Sequence, residues 1–453
     1  MSPEQMTPRE RRAAISLAGI FATRMLGLFL ILPVFALYAE DLEGVTPTLV
    51  GVAIGIYGLT QALFQIPFGM LSDRIGRKPV IVAGLLLFAI GSAIAATADT
   101  INGVIIGRTL QGSGAVAAAI MALAADLTRE EHRPKAMAVI GMTIGVSFLI
   151  AMVAGPVLDG WVGVPGIFWL TAVLALAGIA ILLIAVPTPA DSRVHRDAEA
   201  VSQQFRQVLA DTQLLRLDFG ILVLHLVLTA GFVVLPLALR DAGLVSSDHW
   251  QLYLPVMVFA MAGAIPFIVL AEKKRLMKPI VIGGIALLGL SEIGFVFLHD
   301  SFWPLAVLMG LFFIAFNLME ALMPSLIAKT APVQSKGTAM GVYSSSQFFG
   351  AFIGGAAGGS LYGQFGPAGV FLFCAILLAA WWLLAITMKQ PRYLASAMVN
   401  VGPLDSARAA ELEGEICRID GVEEAYVGVD DGIAYLRIDN DKIDRAELDR
   451  FSI

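Results

Sequence analysis

Two cysteines in 453 residues leave this chain almost without thiol chemistry. Cys374 sits in an apolar run and Cys417 in a polar region, so neither a disulfide framework nor a thiolate metal site is available. Charge is also scarce, at 15% of residues against about 25% in ordinary soluble domains. The net charge of −6 contains no basic block or stripe, which excludes a phosphate-gripping nucleic-acid surface. A G-x-S-x-G elbow, an H-E-x-x-H helix and a phosphate-binding P-loop are missing too. An enzyme is not expected, no cofactor is called for, and energy for any work must come from an ion gradient.

What the chain has instead is apolar length. It is 58% hydrophobic, with a mean hydropathy of +0.81. Twelve runs, most near the roughly 20 residues that a bilayer-spanning helix needs, fall at 14–38, 49–71, 79–98, 101–126, 136–159, 166–187, 214–239, 251–270, 279–298, 302–327, 338–361 and 367–388. The first follows a polar, basic start (Met1 to Arg12), is too long for a signal peptide and lacks a cleavage site, so it reads as a retained span. Basic residues gather in alternate loops: Arg9, Arg11 and Arg12, then Arg74, Arg77 and Lys78, then Arg129, Arg133 and Lys135, then Lys273, Lys274, Arg275 and Lys278, then Lys329 and Lys336, and finally Lys389 and Arg392. The opposite loops carry acids such as Glu40, Asp41, Glu43 and Asp300, with Arg240 as their single basic residue. This asymmetry predicts a multi-pass membrane protein with both termini in the cytoplasm.

The chain also repeats itself. Gln65-Ile66-Pro67-Phe68 returns as Ala264-Ile265-Pro266-Phe267, and Ala136-Met137-Ala138-Val139 returns as Ala339-Met340-Gly341-Val342. Two parallel six-helix halves are expected, at 1–187 and 214–390, joined by a polar linker at 188–213 that holds Asp191, Ser192, Arg193, His195, Arg196 and Asp197. A substrate site belongs between such halves near the midplane. Composition then changes abruptly, and residues 393–453 read as a small α+β domain. Strands are expected from Ser396 to Val401, Glu423 to Val429 and Gly432 to Ile438, and helices from Ser406 to Ile419 and Asp444 to Phe451, with Asp430-Asp431-Gly432 as a hairpin turn. The order βαββα is that of a ferredoxin-like domain. Its first loop, Gly402 to Ser406, lacks the Cys-x-x-Cys of metal-chaperone relatives.

The densest charge cluster is Gly69-Met70-Leu71-Ser72-Asp73-Arg74-Ile75-Gly76-Arg77-Lys78, between the second and third spans. It resembles the G-x-L-[A/S]-D-R-x-G-R-[K/R] loop of the major facilitator superfamily. Arg108-Thr109-Leu110-Gln111-Gly112-Ser113-Gly114-Ala115 resembles that superfamily's R-x-x-Q-G-x-G-A motif. Leu26-Gly27 to Pro33 is similar to the first-helix pattern of its drug–proton antiporters. Gly155, Pro156 and Gly160 fit the antiporter motif G-x₈-G-x₃-G-P-x₂-G-G, with Ala151 as a small stand-in, while Met142 and Asp159 depart from it. The resemblance implies an all-α membrane protein of twelve helices, a central cavity and proton-coupled transport of a small molecule. Export of a partly apolar compound is the first expectation. Uptake by a symporter, and a membrane sensor working through the C-terminal domain, are the alternatives.

Ionisable residues inside spans are costly and therefore candidates for function. Asp73, Arg77 and Asp126 are expected to form a charge-assisted network that locks the cytoplasmic face when the protein opens outward, against plain positive-inside anchoring, which suffices for Arg74 and Lys78. Arg24 is a candidate for the substrate–proton site, or else snorkels to the surface. Arg108 and Gln111 are candidates for proton coupling, unless Arg108 faces outer water. Glu320, with Asn317 one turn before it, either exchanges a proton or makes a structural hydrogen bond. His225 and Glu292 read as packing residues, while Tyr57, Gln61, Gln65 and Tyr343 are possible cavity walls. The acids of the tail (Glu411, Glu413, Glu415, Glu423, Glu424, Asp430, Asp431) either dock on the basic loops or form a solvated face. Expected partners are the lipid bilayer, the small-molecule substrate and protons, with the protein acting as a monomer.

Overall fold

A computed structural model describes residues 6–129, 132–188, 204–332, 335–390, 394–402, 404–429, 432–439 and 442–451. Helices dominate because a bilayer offers backbone groups no water, so each segment must satisfy its own N–H and C=O groups. Helix α1 (Pro8–Phe29) starts on a capping box, in which Thr7 Oγ1 accepts from Glu10 N and Glu10 Oε2 accepts from Thr7 N. The chain turns at Leu30–Val34 and resumes as the short α2 (Phe35–Tyr38). The single expected span at 14–38 is therefore broken, at Pro33, which lacks the N–H that a continuous helix requires.

Helices α3 (Pro47–Ile75), α4 (Arg77–Ala96), α5 (Ile101–Ser113) and α6 (Ala117–Asp126) follow. The expected run at 101–126 is interrupted between α5 and α6, where Gly114 lies so close to α4 that a Cβ there would sit 2.2 Å from the Gly84 carbonyl oxygen. Next come α7 (Arg133–Ile184), α8 (Phe205–Ala210), α9 (Thr212–Asp241), α10 (His249–Lys273), α11 (Met277–Leu298), α12 (Phe302–Thr330) and α13 (Lys336–Ile386). Among the described residues, ten helical segments are long and apolar enough to span a membrane, α5 and α6 counting together as one. Two of them, α7 and α13, each contain a non-helical glycine, Gly163 and Gly366, and are two spans apiece, which restores the expected twelve. Most of the expected linker, including Asp191 to Asp197, lies outside the described residues; its last part forms α8. Trp161, Ile184, Phe297 and Trp303 are each more than three-quarters exposed, an apolar surface suited to lipid.

The halves meet along α13, a glycine-rich rod between α3 and α9. A Cβ on Gly51 would lie 2.0 Å from the Gly355 carbonyl oxygen, and one on Gly354 would lie 2.1 Å from that of Leu226. Only a hydrogen side chain allows backbones this near. At the same end of the molecule Arg240 Nη1 donates to Glu40 Oε2 at 2.5 Å, across the halves.

The C-terminal region is β1 (Ala395–Asn400), α14 (Ser406–Ile416), β2 (Val422–Gly428), β3 (Ile433–Ile438) and α15 (Arg445–Leu448). Its sheet has the order β1-β3-β2, antiparallel throughout, as in the split βαβ of a ferredoxin-like domain. Val399, Leu412, Ile416, Leu436 and Ile438 form its own core under α14. Asp430 and Asp431 of the expected turn lie outside the described residues.

Candidate functional site

A cavity of about 710 Å³ lies between the halves. The first half contributes Gln65, Gly69, Asp73, Ala117, Met121 and Met137, and the second Met261, Asn317, Glu320, Met340, Tyr343 and Gln347. The wall is apolar and rich in methionine. Glu320 interrupts it, one-quarter exposed at its side chain. Gln347 Nε2 lies 3.4 Å from Glu320 Oε1 and 2.7 Å from His225 Nε2, and His225 Nε2 lies 3.6 Å from Glu320 Oε2. The structure thus joins Glu320 to His225, which the sequence suggested was a mere packing residue, through Gln347, which drew no attention. Asn317 lines the same cavity and has no hydrogen bond to Glu320 among the described residues.

Asp218 on α9 was also missed. It is buried, and neither carboxyl oxygen has a hydrogen-bond partner among the described residues. Tyr343 lies within electrostatic reach of both Asp218 and Glu320, and its hydroxyl is likewise unpartnered. An acid one turn and a half into a long apolar helix gives little sequence signal; its neighbours on α13 lie more than a hundred residues away. Glu292 is buried on α11 and does not line the cavity, and one of its carboxyl oxygens has no hydrogen-bond partner among the described residues.

The first half buries cations. Arg24 is 1% exposed, which removes the snorkelling alternative. Its Nη2 donates to Gln61 Oε1, and Gln61 Nε2 donates to Gln65 Oε1 at 3.1 Å, so a polar chain leads from Arg24 to the cavity wall. Arg108 is 0% exposed and does not face outer water. Its Nε and Nη2 donate to the carbonyls of Ala53 and Ile54 at 3.3 and 3.2 Å, and Nη1 donates to Gln111 Oε1 at 3.0 Å. Gln111 in turn donates to Ser92 Oγ at 2.7 Å. The Tyr57 ring stands 5.9 Å from the Arg24 guanidinium and 5.2 Å from that of Arg108, a double cation–π contact. Tyr57 and Gln61 are therefore buried supports rather than cavity walls, whereas Gln65 and Tyr343 do line it.

In the charged loop, Arg77 Nε donates to Asp126 Oδ2 at 3.1 Å, and Nη1 donates to Ser72 Oγ at 2.9 Å and to Asp73 Oδ1. Gly76 makes this possible: at φ 96° it turns the chain so sharply that α4 begins on the next residue, returning Arg77 over the end of α3. Gly69 lets α3 approach α6, since a Cβ would touch that of Ala118 at 3.0 Å. Lys78 Nζ donates to the Val186 carbonyl at 2.6 Å, and Arg74 is exposed. The triad Asp73–Arg77–Asp126 lies wholly within the first half, and Asp73 also faces the cavity. Gly155 packs against the broken end of α1, where a Cβ would meet the Leu30 carbonyl at 2.6 Å; Pro156 follows within α7, and Gly160 is exposed.

Two pseudo-repeated helical halves around an apolar cavity, with charge confined to a few buried networks, define a multi-pass membrane transporter. The family model of the Major Facilitator Superfamily matches residues 17–317 and 274–397, and the chain belongs to that superfamily. It is 48% identical over 99% of both chains to the inner membrane transport protein YajR of Escherichia coli (strain K12). It is 25% identical to multidrug resistance protein 1 of Bacillus subtilis (strain 168), over 84% of this chain and 97% of that one. Among solved structures, a bacterial homolog of the human lysosomal transporter Spinster, in an inward-facing and occupied conformation, superposes with a TM-score of 0.71. That match covers 85% of this chain and 98% of the other at 15% identity. The protein is thus not an enzyme, and a bilayer and a small-molecule substrate are its partners.

Proposed function

We propose that this transporter exports a small, partly apolar compound in exchange for protons, as a monomer in a bacterial inner membrane with the C-terminal domain in the cytoplasm. The observation that carries the reading is Glu320, an ionisable group on the wall of an apolar cavity between the halves, linked to His225 through Gln347. An ionisable side chain is costly within a span, which makes this carboxyl group the candidate carrier of the exchanged proton. The cavity lies toward the side that carries the tail, while α3, α13 and the Glu40–Arg240 pair close the other side. That arrangement corresponds to one end state of a rocking cycle. When the halves rock the other way, Glu320 exchanges the substrate side for the proton side. Methionines lining the wall suit an adaptable fit to apolar compounds. The Asp73–Arg77–Asp126 triad shapes the gate, and the Arg24 and Arg108 networks keep α1, α3 and α5 rigid around it. The same fold supports uptake, which differs only in the direction of flux.

Proteoliposomes with an imposed pH gradient test this reading. Glu320→Gln is expected to abolish gradient-driven flux while leaving the thermal midpoint of the purified protein unchanged. Full gradient-driven flux in that variant would refute the assignment.

A further inference from the structure

The sheet of the C-terminal domain has two faces, and only one is used by the domain itself. On the central strand β3, Ala434, Leu436 and Ile438 point to the domain core beneath α14. The alternate residues Ile433, Tyr435 and Arg437 face the other way. An antiparallel sheet of this kind ordinarily leaves that second face to water. Here Ile433 and Tyr435 are 2% exposed and Arg437 is 8% exposed.

The membrane-embedded part of the chain meets this face at Tyr435 and Arg437. Arg437 Nη2 donates to the Ala331 carbonyl, and lies 3.4 Å from that of Ala328. These groups belong to the end of α12, whose last carbonyls have no helical donor and carry the negative end of the helix dipole. A guanidinium is well matched to that end. Beside it, Tyr435 and its cross-strand neighbour Met398 line the central cavity together with Met340 and Lys336 of α13. The sequence left two readings for the tail's acids, docking on the basic loops or a solvated face. Among the described residues, four of them have partners within their own domain: Glu411 and Glu415 pair with Arg408, Glu413 accepts from Val427 N, and Glu424 lies 3.5 Å from Arg437.

We propose that the C-terminal domain is a tethered plug, whose outer sheet face covers the tail-side mouth of the cavity and must leave before a substrate can pass that mouth. The proposal rests on the alternating-access reading above, since a covered mouth matters only if it is a route. Arg437 is the latch, and Tyr435 and Met398 are the surface that closes the opening. Because the covered wall draws on both halves, docking also favours the conformation in which the mouth is formed. Release of the plug is then a point of control that acts on access without touching Glu320.

The test needs neither substrate nor a proton gradient, so its failure is distinct from failure of the export reading. The full chain carries Met340→Cys as reporter, with Cys374 and Cys417 replaced by serine and a protease site introduced between Gln390 and Leu394. Labelling of the reporter by a membrane-impermeant maleimide is timed in vesicles that expose the tail side. In the parent the label is expected to enter slowly. After cleavage in the Arg437→Glu background the tail is expected to leave the membranes on sedimentation, and labelling to accelerate several-fold. A tail that leaves without faster labelling would overturn the plug, and one that stays bound despite Arg437→Glu would overturn the latch.

Discussion

The loop between α3 and α4 and its repeat between α10 and α11 solve one problem with different residues. At a common offset of 199, Asp73 corresponds to Glu272, Gly76 to Arg275 and Arg77 to Leu276. At the offset of 203 that relates Gly107 to Gly310, Asp126 corresponds to Lys329. The first loop holds two acids on one buried arginine. The second has lost that arginine and places a cation where the second acid stood, so Glu272 pairs with Lys329 directly at 2.5 Å, with Ser325 donating as well. Burial separates them: the Asp126 and Arg77 side chains are 0% and 2% exposed, those of Glu272 and Lys329 40% and 18%. The first loop is a desolvated network that resists rearrangement, whereas the second is a surface contact that can be exchanged cheaply. The same polarity runs through the spans, with buried Arg24 and Arg108 in the first half and buried Asp218 and Glu292 in the second.

The comparison breaks most visibly at Arg77. Removing one member of a buried ion pair leaves the other charge desolvated and costs about 3–5 kcal/mol. Arg77→Ala is therefore expected to lower the thermal midpoint of the detergent-solubilised protein sharply and to abolish transport. An unchanged midpoint would show that Asp126 finds another donor and that the loop is less specialised than its burial implies.

The turn residues give a smaller effect with opposite signs in the two halves. Gly76 and Arg275 both lie at positive φ, 96° and 56°. A side chain at such angles costs about 1–3 kcal/mol, most of all at the ψ of 150° that Gly76 takes. Gly76→Ala is expected to destabilise by that order, whereas Arg275→Gly relieves strain and is expected to raise the midpoint slightly. Equal and negligible shifts in both variants would deny that the second loop stores strain.

Much of this was legible in the sequence. Span lengths, the two repeats and the βαββα tail follow from apolar run length and periodicity, whereas the Asp73–Arg77–Asp126 grouping rested on the resemblance to the superfamily. Less legible were features that depend on packing between distant segments. Whether Arg24 reached the surface turned on Gln61, thirty-seven positions away, and Arg108 is held by carbonyls of α3 that leave no trace in side-chain identity. His225 and Asp218 each looked like isolated polar residues until α13 brought Gln347 and Tyr343 beside them. The tail's docking face was hidden for another reason. Strand alternation shows that a sheet has two faces, not which neighbour covers the second.

The smallest expected effect is also the sharpest check on the contrast between the loops. Lys329→Ala removes the partner of Glu272, which keeps Ser325 as a donor and has water at hand because it is 40% exposed. Exposed ion pairs contribute about 0.2–1 kcal/mol, and salt screens them. The variant should therefore shift the midpoint only slightly at low ionic strength, and the shift should shrink further at high salt. The corresponding change in the first half, Asp126→Ala, leaves the Arg77 guanidinium buried with Asp73 as its remaining acid, and its cost should persist at high salt because the site excludes counterions. Measuring both variants at two salt concentrations separates burial from mere charge count. If the two respond to salt alike, the desolvation argument for the first loop fails and the loops differ only in composition.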